Sequence, residues 1–444
     1  MKKIFINLFF ILLCISSSQA QQLNTAKLDS FFNALDANHK SMGSFAVAKN
    51  GKIVYQRSLG YSSLSPDSIP ASAKTRYRIG SITKVFTAAM IFQLIEEGKL
   101  TIDTKLSKYF PQLPNAEKIT IGNLLSHTSG LMDYVNEVSD KDWITTPHPR
   151  AELLDTIAGR KVNFEPGAKQ QYSNSGYLLL AYVLEKITGK SYSALLNDRI
   201  SKKINLKNTV SGIPNNKGQN EARPYAMLDH WTDVKDIYFP NVIGVGDILS
   251  TPEDLLSFMD ALSSGKLINQ ASYAQMSAFN DKNPFAMGLL RVPFYGQTGL
   301  GHNGGTYGTY SVLYSFKESG ISISSSVNGL NYPLNDISIA LLSISNGKPY
   351  QIPSFKSFTV KAEDLDAYLG VYSTSALPIK ITVSKNGNQL IGQPTGQSAL
   401  AFEAVAKNIF KSDAASVVME FDAAKEQMTL KQDGKSFIFN KEKK

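Results

Sequence analysis

Ser81 and Lys84 stand three residues apart at the head of the apolar run Val85-Phe86-Thr87-Ala88-Ala89-Met90-Ile91-Phe92. A helix over that run puts both side chains on one face of its first turn, with Cβ atoms about 5–6 Å apart. A serine hydroxyl is a weak nucleophile until a neighbouring base takes its proton, and a lysine serves only where burial or a nearby cation lowers its pKa. The helix N-terminus adds partial positive charge where an oxyanion would develop. The same spacing recurs at Ser263/Lys266 and Ser345/Lys348 in turn-like stretches. Taken alone, the pair also fits an N-capping serine beside a solvated lysine.

Two further stretches carry groups of the right kind. In Tyr172-Ser173-Asn174 an extended backbone aims the phenol and the carboxamide the same way, as residues two apart do. Together they can handle a proton and orient an amide; equally, the tyrosine fits a core and the asparagine a helix cap. In Gly301-His302-Asn303-Gly304-Gly305 a glycine-dense strand at a sheet edge lets a backbone approach closely. His302 there supplies a proton or a positive charge, or is incidental to a glycine loop. His127, in Leu125-Ser126-His127-Thr128-Ser129-Gly130-Leu131, reads as a candidate base or as a structural histidine bonding a loop backbone. None of the five histidines falls in an HExxH pattern or a zinc spacing, so no metal site is expected.

The elements that position these groups are legible in outline. Leu28, Phe31, Phe32 and Leu35 fall at helical spacing within 23–42. Asn50-Gly51 between the apolar runs 44–48 and 52–55 signals a hairpin. The Ser81 helix is apolar almost all round, predicting burial, and ends at Glu97-Gly98 with a glycine cap. A second apolar helix is expected over 178–187, and a loop over 244–250 feeds a helix capped by Thr251, with Pro252 in its first turn. Strands are expected over 309–316 and 321–327. From about Phe355 seven short strand-like runs predict a separate all-β barrel or sandwich.

A chain of 444 residues with 43% hydrophobic and 19% charged residues reads as an ordinary globular protein of two or three domains or subdomains. Lys2-Lys3, the apolar core 4–15 and Ser18-Gln19-Ala20 compose a signal peptide cut after Ala20, too short for a membrane span. Cys14 does not suit lipidation, because Leu13 precedes it where a small residue is wanted. Cleavage removes the only cysteine and lowers the net charge from +9 to +7 by the loss of Lys2 and Lys3. The remaining basic surplus is dispersed, which suits solubility rather than nucleic-acid binding.

The ordered set Ser81-x-x-Lys84, Tyr172-x-Asn174, His302-x-Gly304 resembles the penicillin-recognising serine hydrolases, in the class C β-lactamase and D-Ala-D-Ala carboxypeptidase branch. The flanks agree: Arg78-Ile79-Gly80 before Ser81, the His127 stretch, Glu165-Pro166-Gly167, and Leu249-Ser250-Thr251-Pro252-Glu253-Asp254-Leu255. The resemblance spans about 25–345. It implies that Ser81 is acylated, that Lys84 and Tyr172 act as a base pair, that Asn174 holds the acyl side chain, and that the N–H groups of Ser81 and Gly305 form an oxyanion hole. His302 and Gly304 occupy the substrate-binding triad position, where many relatives have Lys-Thr-Gly. Histidine there, mostly neutral above a pKa of about 6.5, weakens recognition of a carboxylate, and Asn303 in place of threonine points the same way. His127 matches no catalytic position of the family.

The resulting expectation is an α/β (α+β) fold: an antiparallel sheet flanked by helices, with an all-helical lobe, followed by a small lipocalin-like barrel. The domains are a signal peptide at 1–20, a hydrolase at 21–352 and a β-domain at 353–444. The function expected is that of a periplasmic or secreted serine hydrolase forming an acyl-enzyme on Ser81, of D-Ala-D-Ala carboxypeptidase-like or D-amino-acid peptidase type. Alternatives are an esterase or β-lactamase on the same scaffold, or a slow-turnover penicillin-binding sensor. No cofactor, no nucleic acid and no transmembrane segment is expected; the partner is a small-molecule or peptide substrate of peptidoglycan type, and the chain a monomer.

Overall fold

Leu28, Phe31, Phe32 and Leu35 line the buried side of the first helix, α1 (Thr25–Ala37), as their spacing predicts. The computed structural model describes residues 23–442 except 139, 141, 213–219, 229, 280–282, 356, 357, 398, 414, 433 and 434. The expected leader at 1–20 and the Asp433-Gly434 turn lie outside the described residues. Helix α1 ends earlier than expected. His39 takes a φ of 51°, and the chain is already in strand β1 (Ser41–Lys49) where helix was read through Met42.

Strand β2 (Lys52–Leu59) returns through Asn50 and Gly51, both at positive φ as a tight hairpin turn demands. With β3 (Leu290–Phe294), β4 (Gln297–Gly305), β5 (Tyr310–Phe316) and β6 (Ile321–Leu330) they form one antiparallel sheet in the order β3-β4-β5-β6-β1-β2. Alternation splits β1 between two cores. Phe45 and Val47 pack with α1 and with α6 (Leu334–Ser345), while Ala46 and Ala48 face the opposite helices. Those helices are α2 (Thr83–Glu96), α3 (Asn174–Thr188), α4 (Pro252–Ser263) and α5 (Gln270–Met276). Thr251 caps α4 by accepting from the Asp254 N–H at 3.2 Å. The stretch expected as a loop before it contains a short strand, Ile248–Ser250, which pairs with Tyr77–Arg78 and so ties α4 to the approach to Ser81.

The C-terminal run closes into an eight-stranded barrel: β7 (Gly370–Ser373), β8 (Lys380–Asn386), β9 (Gln389–Pro394), β10 (Leu400–Ala406), β11 (Ile409–Ser412), β12 (Val417–Asp422), β13 (Gln427–Gln432) and β14 (Lys435–Lys441). Seven of these match the expected runs. Strand β11, four residues entered through Asn408 at φ 67°, lies outside the expected runs. Closure pairs Tyr372 with Lys441 and leaves no open edge. Phe402, Phe410, Met419 and Phe439 fill the interior as a core of its own.

Lys40 joins the barrel to the sheet. Its side chain is 2% exposed, bonding Glu403 at 2.8 Å and Asp413 at 3.1 Å and lying over the Phe355 ring. Removing one partner of a buried ion pair leaves an uncompensated charge. Lys40→Met is therefore expected to destabilise the protein by about 3 kcal/mol, the low end for such a loss because Lys411 still pairs Asp413. Adding Asp413→Leu should restore most of it. Urea unfolding checks both, and an unchanged midpoint in Lys40→Met would show that the pair holds nothing.

Candidate active site

The approach to Ser81 is shaped by glycine. A short 3-10 turn, Gly80–Ile82, precedes α2, so Ser81 lies just ahead of the α-helix rather than within it. Gly80 has φ 50°, and a Cβ there would lie 2.6 Å from the Gly305 nitrogen. A Cβ on Gly304 would lie 2.0 Å from the Ile79 carbonyl oxygen and 2.7 Å from the Ser81 nitrogen. Side chains at either position would therefore push the turn off the strand. Strand β4 is not the outermost strand, but β3 pairs with it only as far as Gly301. His302 to Gly305 run past β3, and this stretch closes on the Ser81 turn. Arg78 anchors the turn from the other side. Its buried guanidinium pairs Glu221 at 3.0 Å and Asp236, and donates to the Ala222 carbonyl.

Two groups meet at the Ser81 hydroxyl. Lys84 Nζ lies 3.0 Å from Ser81 Oγ and donates to the Val245 carbonyl at 2.9 Å. The Tyr172 hydroxyl lies 2.7 Å from the same Oγ. Lys84 is fully buried against the faces of Tyr172 and Tyr177. Burial lowers its pKa to about 7, against a smaller opposing pull from Asp133. Burial pushes the Tyr172 phenol the other way, well above its ordinary value. Near neutral pH the cluster thus holds an amine able to accept a proton and a phenol that keeps its own, so the proton can travel from hydroxyl to amine and on through the phenol.

Asn174 is the first residue of α3 rather than part of an extended segment, and its side chain does not cap. Its amide nitrogen donates to both carboxylate oxygens of Asp133, at 3.0 and 2.9 Å. Asp133 is 3% exposed and also accepts from Asn136 Nδ2 at 2.7 Å. With the nitrogen held, the Asn174 carbonyl oxygen is left for other partners. Asp133 was not singled out from sequence. The available signal was an acid between two buried apolar residues, Met132 and Tyr134, two positions beyond the Leu131 that ended the His127 stretch.

His302 is 2% exposed; its Nδ1 bonds the Asn303 carbonyl, and burial lowers its pKa to about 4. It is therefore neutral and adds no like charge to Lys84, whose shift comes from burial. His127 lies against Tyr172, with ring centroids 4.4 Å apart, and its Nδ1 accepts from the Ser173 N–H at 3.2 Å. Above Ser81 opens a cleft of about 310 Å³, lined by Val135, Ile144, Ile237, Val242, Tyr307 and Tyr310 among others. A larger depression of about 920 Å³ beside α4 and α5 contains none of Ser81, Lys84 and Tyr172. Among the described residues no group of three or more His, Cys, Asp or Glu is placed to hold a metal ion, and no helix is long and apolar enough to cross a membrane.

The family model described as Beta-lactamase matches residues 28–344. Penicillin-binding protein 4* of Bacillus subtilis is 28% identical over 464 residues, covering 92% of this chain and 96% of that protein. The crystal structure of the D-amino acid amidase from Ochrobactrum anthropi SV3 complexed with D-phenylalanine superposes with a TM-score of 0.63 at 25% identity, over 72% of this chain and 98% of that one. The octameric penicillin-binding protein homologue from Pyrococcus abyssi gives a TM-score of 0.65 over 94% of this chain and 100% of that one; at 22% identity this is a likeness of fold.

The charge balance around Lys84 sets a pH dependence. An amine with a pKa of about 7 accepts a proton only above that value, so labelling of Ser81 by a fluorophosphonate is expected to rise through about pH 7 and level off. Asp133 favours the ammonium, so Asp133→Asn should move this limb to lower pH. A flat profile, or a limb moved upward, would contradict the electrostatics described.

Proposed function

The chain belongs to the beta-lactamase family, and we propose that it is an exported serine hydrolase that forms an acyl-enzyme on Ser81 from D-amino-acid-containing peptides or amides. The observation that carries this reading is the convergence of Lys84 and Tyr172 on one oxygen, at 3.0 and 2.7 Å from Ser81 Oγ. Neutral Lys84 takes the hydroxyl proton as Oγ attacks the carbonyl carbon. The N–H groups of Ser81 and Gly305 receive the oxyanion, and Asn174 holds the acyl side chain. Tyr172 passes a proton to the leaving nitrogen or oxygen as its bond to carbon breaks. Water then attacks the ester, releases the acid and returns the proton to Ser81, so no cofactor or metal takes part.

The substrate class follows from charge. Carboxypeptidase and β-lactamase action both present a substrate carboxylate, which a cation beside the nucleophile would receive. His302 is buried and neutral, and among the described residues no lysine, arginine or histidine lines the cleft above Ser81. This favours a neutral amide over a free C-terminal acid or a β-lactam, with an ester as the second reading because its leaving group is also uncharged. The similarity to a D-amino acid amidase supports the same choice. We divide the mature chain into a hydrolase at 21–352 and a β-domain at 353–444, supported by the separate barrel core. We take it to work as a monomer, and to be periplasmic or secreted on the strength of the leader.

The test is a kinetic panel: D-amino acid amides and their L counterparts, a D-Ala-D-Ala peptide with its carboxylate free or amidated, acyl esters and a chromogenic cephalosporin. The neutral D-amide or ester should lead by at least about 10-fold over the free acid and the cephalosporin, the scale of about 1.4 kcal/mol in transition-state binding. Ser81→Ala should lower kcat by on the order of 10³-fold or more. Preference for the free acid would overturn the substrate assignment; a single stoichiometric burst without turnover would point to a sensor.

A further inference from the structure

Tyr172 reaches Ser81 from the short link Gln171 to Ser173 ahead of α3, extended at Ser173, and one residue holds that link on both sides. The His127 carbonyl accepts from the Gln171 N–H at 2.9 Å, and His127 Nδ1 accepts from the Ser173 N–H at 3.2 Å. In an extended chain the N–H groups of residues two apart point the same way, so the side-chain nitrogen does the work of a second strand carbonyl. The His127 ring also lies 4.4 Å from the Tyr172 ring at an interplanar angle of 30°, with Phe285 against both. His127 folds into this position at φ 58°, a conformation strained for most residues. Because Nδ1 accepts, the ring proton sits on Nε2, which is buried and has no hydrogen-bond partner among the described residues. A buried donor left unpaired costs stability.

We propose that His127 is a positioning residue: it clamps the backbone on both sides of Tyr172 and fixes the phenol over the Ser81 hydroxyl. The proposal rests on the acyl-transfer reading, in which Tyr172 delivers the proton to the leaving group. A displacement of about 1 Å at a proton-transfer group costs about 10²-fold in rate. The loss should fall on leaving groups that need the proton, such as amides and alkyl esters. A p-nitrophenyl ester, whose leaving group departs as a stable anion, should be nearly indifferent.

The experiment compares His127→Asn, whose Oδ1 replaces the Nδ1 acceptor and whose backbone tolerates positive φ, with two variants lacking an acceptor. His127→Leu keeps the volume and His127→Gly suits the backbone. Each is assayed on an amide and on its p-nitrophenyl ester counterpart, in the wild-type and Tyr172→Phe backgrounds, beside Ser81→Ala. The expected result is a loss of about 10²-fold on the amide and under about 5-fold on the activated ester for the acceptor-free variants, recovery to within about 5-fold in His127→Asn, and no further loss when Tyr172→Phe is already present. Equal losses on both substrates, full additivity with Tyr172→Phe, or failure of both acceptor-free variants to fold while His127→Asn does would assign His127 to stability and overturn the proposal. Hydrolysis surviving in Ser81→Ala would instead overturn the parent reading, whatever His127 does.

Discussion

The desolvation of one ammonium group governs this molecule. Lys84 is carried into the interior on α2, a helix whose buried residues run unbroken from Thr83 to Leu94. A charge so placed is expensive, and the protein meets the difficulty by letting Lys84 become neutral near pH 7 and by arranging what little compensation it has. Two aromatic faces, one backbone carbonyl and a carboxylate behind Asn174 are its surroundings. Asp133 acts in two directions at once: it steadies the charged state of Lys84 and holds the amide that faces the cleft.

The second constraint is backbone proximity. The turn bearing Ser81 and the end of β4 approach so closely that neither Gly80 nor Gly304 has room for a Cβ. This brings the nitrogens of Ser81 and Gly305 into one neighbourhood without any side chain between them. Arg78, the short strand at Ile248–Ser250 and the hydrogen bond from the Ile79 N–H to the Ile248 carbonyl at 3.1 Å hold the turn from behind. The barrel contributes to none of these contacts; among the described residues it meets the rest of the chain through groups such as Lys40, Glu403 and Asp413.

Much of this was legible in the sequence because its signals are local. Ser81, Lys84, Tyr172 and His302 stand in short motifs, the Asn50-Gly51 hairpin has its own turn chemistry, and α1, α2 and α4 carry apolar spacing or caps. What was not legible depends on contacts distant in sequence. Asp133 meets Asn174 41 residues away, and an acid set between Met132 and Tyr134 does not by itself name that partner. The neutrality of His302 comes from burial rather than from its neighbours in the chain. The start of α3 at Asn174 escaped because the first turn, Asn174-Ser175-Gly176-Tyr177, is made of poor helix formers held by tertiary packing. Strand β11 exists because the barrel must close, a requirement that four residues cannot express.

The proposed acyl-enzyme is a covalent ester between the substrate's acyl group and Ser81. The direct measurement is acid-quenched peptide mapping by mass spectrometry during turnover of a slowly hydrolysed D-amino-acid ester, compared with Lys84→Ala. Predicted is an added mass equal to the acyl portion without its leaving group, on the peptide containing Ser81 and absent in the variant. Turnover with no adduct on that peptide, or with the adduct on another residue, would contradict the claim.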